Sequence, residues 1–289
     1  MSTTKTEDNR VAESAPNKHR RKNGRNPASH FGSNEHKTTR ISVVTVIFLL
    51  GAWWMTTYFG LVKPLFLPSP DAIYNAFYKA LFSTLPGQPN LLDNTLISLA
   101  RVFGAFLLAV VTAIPLGLAM GTSRIANGIF DPIIEFYRPL PPLAYLPLVI
   151  IWLGIGETAK IVLIYLACFA PLVIATKAGA RTVPREQINA ALSLGASRWQ
   201  VLRYVVLRGS MPEIITGMRI SIGFGWTTLV AAEMVAANTG LGQMVLKASN
   251  YLRTDVVIMG IIIIGLLALF IDLIMRKAEK LFVPWKGKM

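Results

Sequence analysis

Apolar residues of this chain come in blocks of about 20, the length an α-helix needs to cross roughly 30 Å of hydrocarbon. Short polar stretches separate the blocks. We therefore predict an all-α fold, a polytopic membrane helix bundle of about six transmembrane helices. The expected spans are Ile41–Tyr58, Leu96–Met120, a proline-broken third span that ends with Leu143–Gly154, Ala159–Ala178, Ile214–Ala236 and Asp255–Met275.

The third span carries four prolines within nine residues, Pro139 and Pro142 among them. Each proline removes a backbone donor and clashes with the preceding turn, so we expect a short helix, a break and a second helix. Broken backbone at membrane depth is tolerated where it is buried in protein or lines a watery cavity. Arg138, Pro139 and Pro142 are therefore candidates for a path or gate. Arg138 can also pair with Glu135 three residues earlier.

Charge is concentrated outside the apolar blocks. The chain has 29 Lys and Arg against 15 Asp and Glu, and the basic residues cluster near the N-terminus, over 177–208 and after Met275. This distribution is typical of the positive-inside rule, so we expect both termini and the loop 179–212 in the cytosol of a bacterial inner-membrane protein. We expect no nucleic-acid partner.

Residues 1–40 are rich in Asn, Ser, Lys and Arg and almost lack aliphatic side chains. Such a segment cannot bury enough apolar surface to offset its ordering entropy. We expect a disordered basic cytosolic tail, with contact between Arg20–Lys22 and anionic lipid as the alternative. Residues 41–289 then form the membrane domain.

The loop 179–212 has the pattern of two short helices joined at a glycine. Strong helix formers run from Pro184 to Leu194, Gly195 predicts a helix end, and Ser197 can cap a second helix over Arg198–Leu207. Small and aromatic side chains here suit a groove on another protein. An amphipathic helix on the inner lipid surface is the alternative, and the residues alone leave both open.

Ionisable residues inside the spans are functional candidates by default. Arg101 lies in the outer half of the second span and Arg219 in the inner half of the fifth, where each can reach the nearer surface or form a pair. Glu233 lies among small residues near the outer end of the fifth span. We expect it to pair with Arg253 or Lys247, and lining of an outer gate is the alternative.

Several segments resemble permease subunits of type I ABC importers. An Ala-Ala pair at Ala190 with a glycine four residues after its second alanine matches the loop by which these permeases bind their ATPase. The pattern would put Glu at Asn189 and Pro at Arg208. Further matching segments are Leu65–Pro70, Ala113–Gly121, Asp131–Ala144, Leu146–Thr158 and Gly223–Glu233. Within the family, the chain is most similar to the taurine and aliphatic sulfonate branch, which is related to nitrate and bicarbonate permeases.

This resemblance implies a homodimer that forms one pathway, two ATP-binding subunits on the cytosolic loops and an extracytoplasmic substrate-binding protein. The implied coupling residues are Asn189, Ala190, Ala191, Gly195, Ala196, Ser197 and Arg198. A taurine-like zwitterion needs donors for its sulfonate and an acceptor for its ammonium, for which Arg101 and Glu233 are candidates.

No sequence of the form G-x-x-x-x-G-K-[ST] is present, so we expect no ATPase site, no enzymatic activity and no cofactor in this chain. The single Cys168 excludes a multi-cysteine metal site. A permease for another small anion is the first alternative. An ion-coupled secondary transporter is a distant one, because such proteins also use broken helices.

Overall fold

The computed structural model describes residues 35–82 and 89–283, and within these ranges the ordered elements are all helical. The α-helices are α1 Glu35–Tyr58, α2 Pro70–Phe82, α3 Leu91–Thr122, α4 Arg124–Tyr137, α5 Leu146–Leu153, α6 Glu157–Thr182, α7 Arg185–Ser193, α8 Arg198–Gln200, α9 Leu207–Ala236, α10 Leu241–Asn250 and α11 Thr254–Phe282. A π-helical turn, Val201–Val206, joins α8 to α9. The predicted all-α fold is confirmed.

The chain forms two units, Met1–Ala52 and Trp53–Met289. In the first unit, the helix carries exposed apolar side chains from Ile41 to Leu50. Residues 1–34 of the predicted tail lie outside the described residues. Residues 35–40 form the start of α1.

Among the described residues, four helical stretches are long and apolar enough to cross a membrane: Leu91–Thr122, Glu157–Thr182, Arg198–Ala236 and Thr254–Phe282. The first expected span has a shorter apolar helix, Val43–Tyr58. The third is interrupted as predicted, because α4 ends at Tyr137 and α5 begins at Leu146, with a 3₁₀ turn between them.

The core of the second unit is formed by α3, α6 and α9. Val102, Ile164 and Trp226, one from each helix, share a buried apolar cluster. The backbones approach closely at glycines: a Cβ on Gly225 would lie 2.5 Å from Cys168 Sγ. Small residues permit such close packing between membrane helices.

The predicted boundaries of the loop between the fourth and fifth spans are wrong. α6 continues to Thr182, and one unbroken helical stretch runs from Arg198 to Ala236. Neither Arg208 nor Pro212 ends it. A proline removes one hydrogen bond of the helix, and here the chain stays helical because Ser210 is buried against α6 at Gly179.

Helix α10 was not predicted. It connects α9 to α11 and buries Leu241, Val245 and Ala248 on one face. Their spacing is the signal of an amphipathic helix.

Candidate functional site

The connection between α6 and α9 folds as a compact pair of helices. On α7, Ile188 and Ala191 are half-buried and pack against a cluster that includes Val201 and Val206. Pro184 stands at the N-cap of α7 in an extended conformation. The apolar face of α7 is therefore used to attach it to the start of the long helix.

Gly195 makes the turn between the two helices. Its φ of 85° lies in the left-handed region that favours glycine, and a Cβ placed there would meet open space. Ser197 then caps the next helix: its Oγ accepts from the Gln200 amide, and its own amide donates to Gln200 Oε1 at 2.7 Å. This is the reciprocal capping box.

The outer surface of this helix pair is exposed. Asn189, Ala190 and Arg198 are exposed, Ala196 is half-buried, and the Leu194 side chain is 89% exposed. A shallow depression of about 380 Å³ lies between α7 and the π-helical turn. Its lining residues are Ala191, Leu194, Gly195, Ala196, Gln200, Val201, Tyr204 and Val205.

Arg208 contacts an aromatic ring of the same helical stretch. Its guanidinium carbon lies 5.5 Å from the centre of the Tyr204 ring, and that of Arg203 lies 5.9 Å from it. Both distances are in the range of cation–π attraction. Arg208 stands where the family pattern has a proline, and it is therefore a second arginine beside Tyr204.

The break between α4 and α5 is tied to α6 by polar contacts. The Tyr137 hydroxyl donates to the Leu166 carbonyl at 2.9 Å. Arg138 and Pro139 are exposed, and Pro142 begins the 3₁₀ turn.

The pair proposed between Arg138 and Glu135 is not among the ion pairs of residues 35–82 and 89–283. Both side chains are exposed instead. The α4 carboxylate that does pair is Asp131, whose partner is Lys177 of α6.

Arg101 and Glu233 meet in a buried charged cluster. Arg101 Nη1 lies 2.8 Å from Glu233 Oε1, and their side chains are 4% and 0% exposed. Glu233 of α9 therefore pairs with Arg101 of α3. The predicted pairing of Glu233 with Arg253 or Lys247 is wrong. Arg253 pairs with Asp255, and Lys247 donates to the Asn238 carbonyl.

Glu157 and Lys160, at the start of α6, complete this cluster. Arg101 Nε and Nη2 donate to the two oxygens of Glu157, each at 2.7 Å. Lys160 Nζ donates to Glu157 Oε1 at 2.7 Å. Two cations thus face two carboxylates, and the formal charge of the cluster is balanced.

The same cluster holds the N-terminus of α10. Glu233 Oε2 accepts from the Gly242 amide at 2.9 Å, and Ser98 Oγ accepts from the Leu241 amide at 3.0 Å. These amides have no partner within their own helix, and a carboxylate at this end also interacts favourably with the helix dipole. At Gly240, a Cβ would lie 2.4 Å from the Glu233 carboxylate.

Arg219 Nε lies 2.6 Å from Asp272 Oδ1 of α11. Arg219 therefore forms an ion pair, the second of the two arrangements expected for it. Sequence analysis missed Ser98, Glu157 and Lys160 as members of the charged cluster. The spacing of Glu157 and Lys160, i and i+3 on a helix, was the available signal.

Comparison with known proteins identifies the family. Residues 113–282 match the profile of the binding-protein-dependent transport system inner membrane component. The chain belongs to this family. Over 254 residues, 86% of this chain and 90% of its relative, the permease is 48% identical to the taurine transport system permease protein TauC of Escherichia coli K12.

Two further relatives extend the comparison. The putative aliphatic sulfonates transport permease protein SsuC of E. coli K12 is 34% identical, with 82% of this chain and 88% of the relative covered. The nitrate import permease protein NrtB of Leptolyngbya laminosa is 31% identical, with 91% and 96% covered. These relatives are permeases rather than enzymes. The expected family and branch are confirmed.

Among solved structures, an inward-facing form of the MetNI methionine ABC transporter contains a similar chain. The match has a TM-score of 0.59 and 19% identity, and it covers 66% of this chain and 95% of the other. This likeness concerns the fold alone. It agrees with the expected permease fold.

Proposed function

We propose that this permease forms the path for a small organic sulfonate, taurine, and that a separate ATPase drives the transport. The identity of 48% to a taurine permease, against 34% and 31% to the sulfonate and nitrate relatives, supports taurine as cargo. A permease for an alkanesulfonate or nitrate is the second candidate, and the same relatives favour it.

The observation that carries the coupling proposal is the unbroken helical stretch from Arg198 to Ala236. It begins at the exposed helix pair and reaches Glu233 in the charged cluster. At 1.5 Å per residue, these ends are roughly 50 Å apart. A force applied to the helix pair would therefore be passed along one continuous helical stretch to the opposite end of the bundle.

The ATPase is proposed to bind Asn189, Ala190, Ala191, Gly195, Ala196, Ser197 and Arg198. Exposed small side chains and the depression beside α7 supply a surface on which a partner can pack. The balance of basic residues favours this loop and both chain termini in the cytosol. The partner holds the ATP, and this chain needs no cofactor.

The remaining partners are a second copy of the permease, a substrate-binding protein on the outer side and membrane lipid. Exposed apolar side chains on α5 and α11, such as Ile151, Trp152 and Phe270, supply surface for lipid or the second copy. A bacterial inner membrane is the proposed location.

Growth supplies the test of cargo. The permease is produced with its cognate ATPase and binding protein in a bacterium that lacks its own taurine permease. We expect growth with taurine as sole sulfur source and uptake of radiolabelled taurine. Uptake of nitrate or an alkanesulfonate but not taurine would favour the second candidate.

A further inference from the structure

The charged cluster contains an arginine whose orientation does not depend on Glu157. Arg101 Nη1 donates to Glu233 Oε1 and to the Thr239 carbonyl, both at 2.8 Å. Glu233 is itself held by Ser98 Oγ at 2.7 Å. Nη1 is therefore fixed by the buried Glu233 and the half-buried Thr239, and the Nε and Nη2 edge is presented in a set direction.

Glu157 covers that edge from the outside. Its side chain is 58% exposed, whereas those of Arg101 and Lys160 are 4% and 5% exposed. Glu157 is the first residue of α6 and follows Gly154 and Gly156, around which there is open space. It is thus the member of the cluster that can leave with the least rearrangement of buried groups.

The contact between Glu157 and Arg101 has the geometry of oxyanion recognition. Two oxygens of one anionic group accept separately from Nε and Nη2, and an ammonium adds a third donor at 2.7 Å. An arginine fork binds two oxygens of a planar or tetrahedral oxyanion in the same way. A sulfonate carries the same single negative charge as Glu157, so an exchange of one for the other keeps the cluster neutral.

We infer that Arg101 and Lys160 form a binding site for the sulfonate group of the cargo, and that Glu157 occupies this site until the cargo displaces it. This inference rests on the proposed function. Glu233 and Thr239 act as positioning residues that hold the Arg101 fork ready. The cargo ammonium is not needed for this contact, so a sulfonate without an amine also fits.

Binding to the purified full-length permease, without binding protein, tests the site. Glu157→Gln removes the internal competitor, and we expect radiolabelled taurine and methanesulfonate to bind at least about tenfold more tightly than to the unaltered chain. Adding Lys160→Gln to Glu157→Gln should abolish the gain. Asp255→Asn removes the half-buried carboxylate that pairs with Arg253 outside the cluster and is the matched control, with no gain expected.

Folded Glu157→Gln protein that binds neither sulfonate more tightly would overturn the site and leave Glu157 as a structural clamp. Should that variant not fold, Lys160→Gln in the assembled transporter provides the test. There we expect taurine uptake to fall at least about tenfold, with ATP hydrolysis retained, and uptake equal to the unaltered transporter would overturn the site.

Taurine uptake by the unaltered transporter separates this inference from the proposed function. If the unaltered transporter takes up taurine and Glu157→Gln binds no better, the site is wrong and the function stands. If the unaltered transporter takes up no taurine, the proposed cargo is wrong, and methanesulfonate binding to Glu157→Gln then decides the site: a gain in affinity supports it, and no gain overturns it.

Discussion

At the scale of single residues, Glu233 of α9 joins its own helix to α3 and to the start of α10. It accepts from Arg101 and Ser98 of α3 and from Gly242 at the start of α10. All of these groups are buried, so water cannot readily replace the Glu233 carboxylate as their acceptor. Removal of one member of a buried pair leaves an uncompensated charge.

Replacement of Glu233 by alanine should therefore lower the stability of the permease by about 3–5 kcal/mol. The control is Asp255→Ala, which removes an exposed pair and should cost less than about 1 kcal/mol. Unfolding of both variants in the same detergent measures the difference. Equal stability of the two variants would contradict the role of Glu233.

Gly240 and Gly242, on either side of Leu241, have no side chain, and this allows the start of α10 to lie close to α9. On Gly242, a Cβ would lie 2.5 Å from the Val230 carbonyl oxygen. We expect Gly242→Ala to destabilise the permease by about 1–3 kcal/mol through this overlap. Gly265, also within a helix, has no atom within 4 Å of its Cβ position.

Gly265→Ala is therefore the matched control for Gly242→Ala. Alanine is the better helix former, so this substitution should be neutral or stabilising by up to about 1 kcal/mol. Thermal unfolding of both variants checks the pair. A loss of stability at Gly265 as large as that at Gly242 would refute the close-approach argument.

At the scale of elements, the helix pair around Gly195 is attached to the bundle by one face and exposed on the other. The attached face includes Ile188 and Ala191, and the exposed side includes Ala190 and Leu194. A side chain added at Gly195 would therefore project away from the permease itself. This geometry makes the position suited to testing an external partner.

Gly195→Arg should abolish copurification of the ATPase while membrane insertion stays normal, because the bulk enters the proposed contact surface. Gly195→Asn is the control, since asparagine tolerates the left-handed conformation and adds less bulk. Affinity purification from membranes measures both. ATPase recovered equally with the arginine variant would argue against this loop as the coupling surface.

The sequence predicted those helix ends, turns and caps that are determined by neighbouring residues. The end of the first helix at Tyr58, the end of α9 near Ala236, the glycine turn at 195 and the Ser197 cap all follow from nearby residues. Sequence reasoning failed where partners are distant. Arg101 and Glu233 are separated by 132 positions, so their pairing depends on how α3 packs against α9.

The same reasoning ended the second helix of the loop at Leu207, ahead of Pro212, whereas the helical stretch continues to Ala236. Local propensity favours a stop there, but packing of Ser210 against Gly179 keeps the chain helical. The cost of one missing hydrogen bond is smaller than the gain from tertiary contacts. Predictions of loop length in such a chain therefore need the packing of the neighbouring spans.

At the scale of the whole molecule, the permease combines an exposed helix pair at one end of a long helix with a buried charged cluster at the other. Family membership, the unbroken stretch Arg198–Ala236 and the neutral cluster agree with a path that is opened by an external motor. The proposed source of energy is a separate ATPase chain, not the permease itself.

Uptake of taurine into proteoliposomes tests that claim most directly. The permease is reconstituted alone or with its ATPase and binding protein, with ATP inside or outside and with the proton gradient collapsed. We predict uptake only when both partners and ATP on the ATPase side are present, and no loss when the gradient is collapsed. Uptake by the permease alone, driven by the proton gradient, would contradict the account.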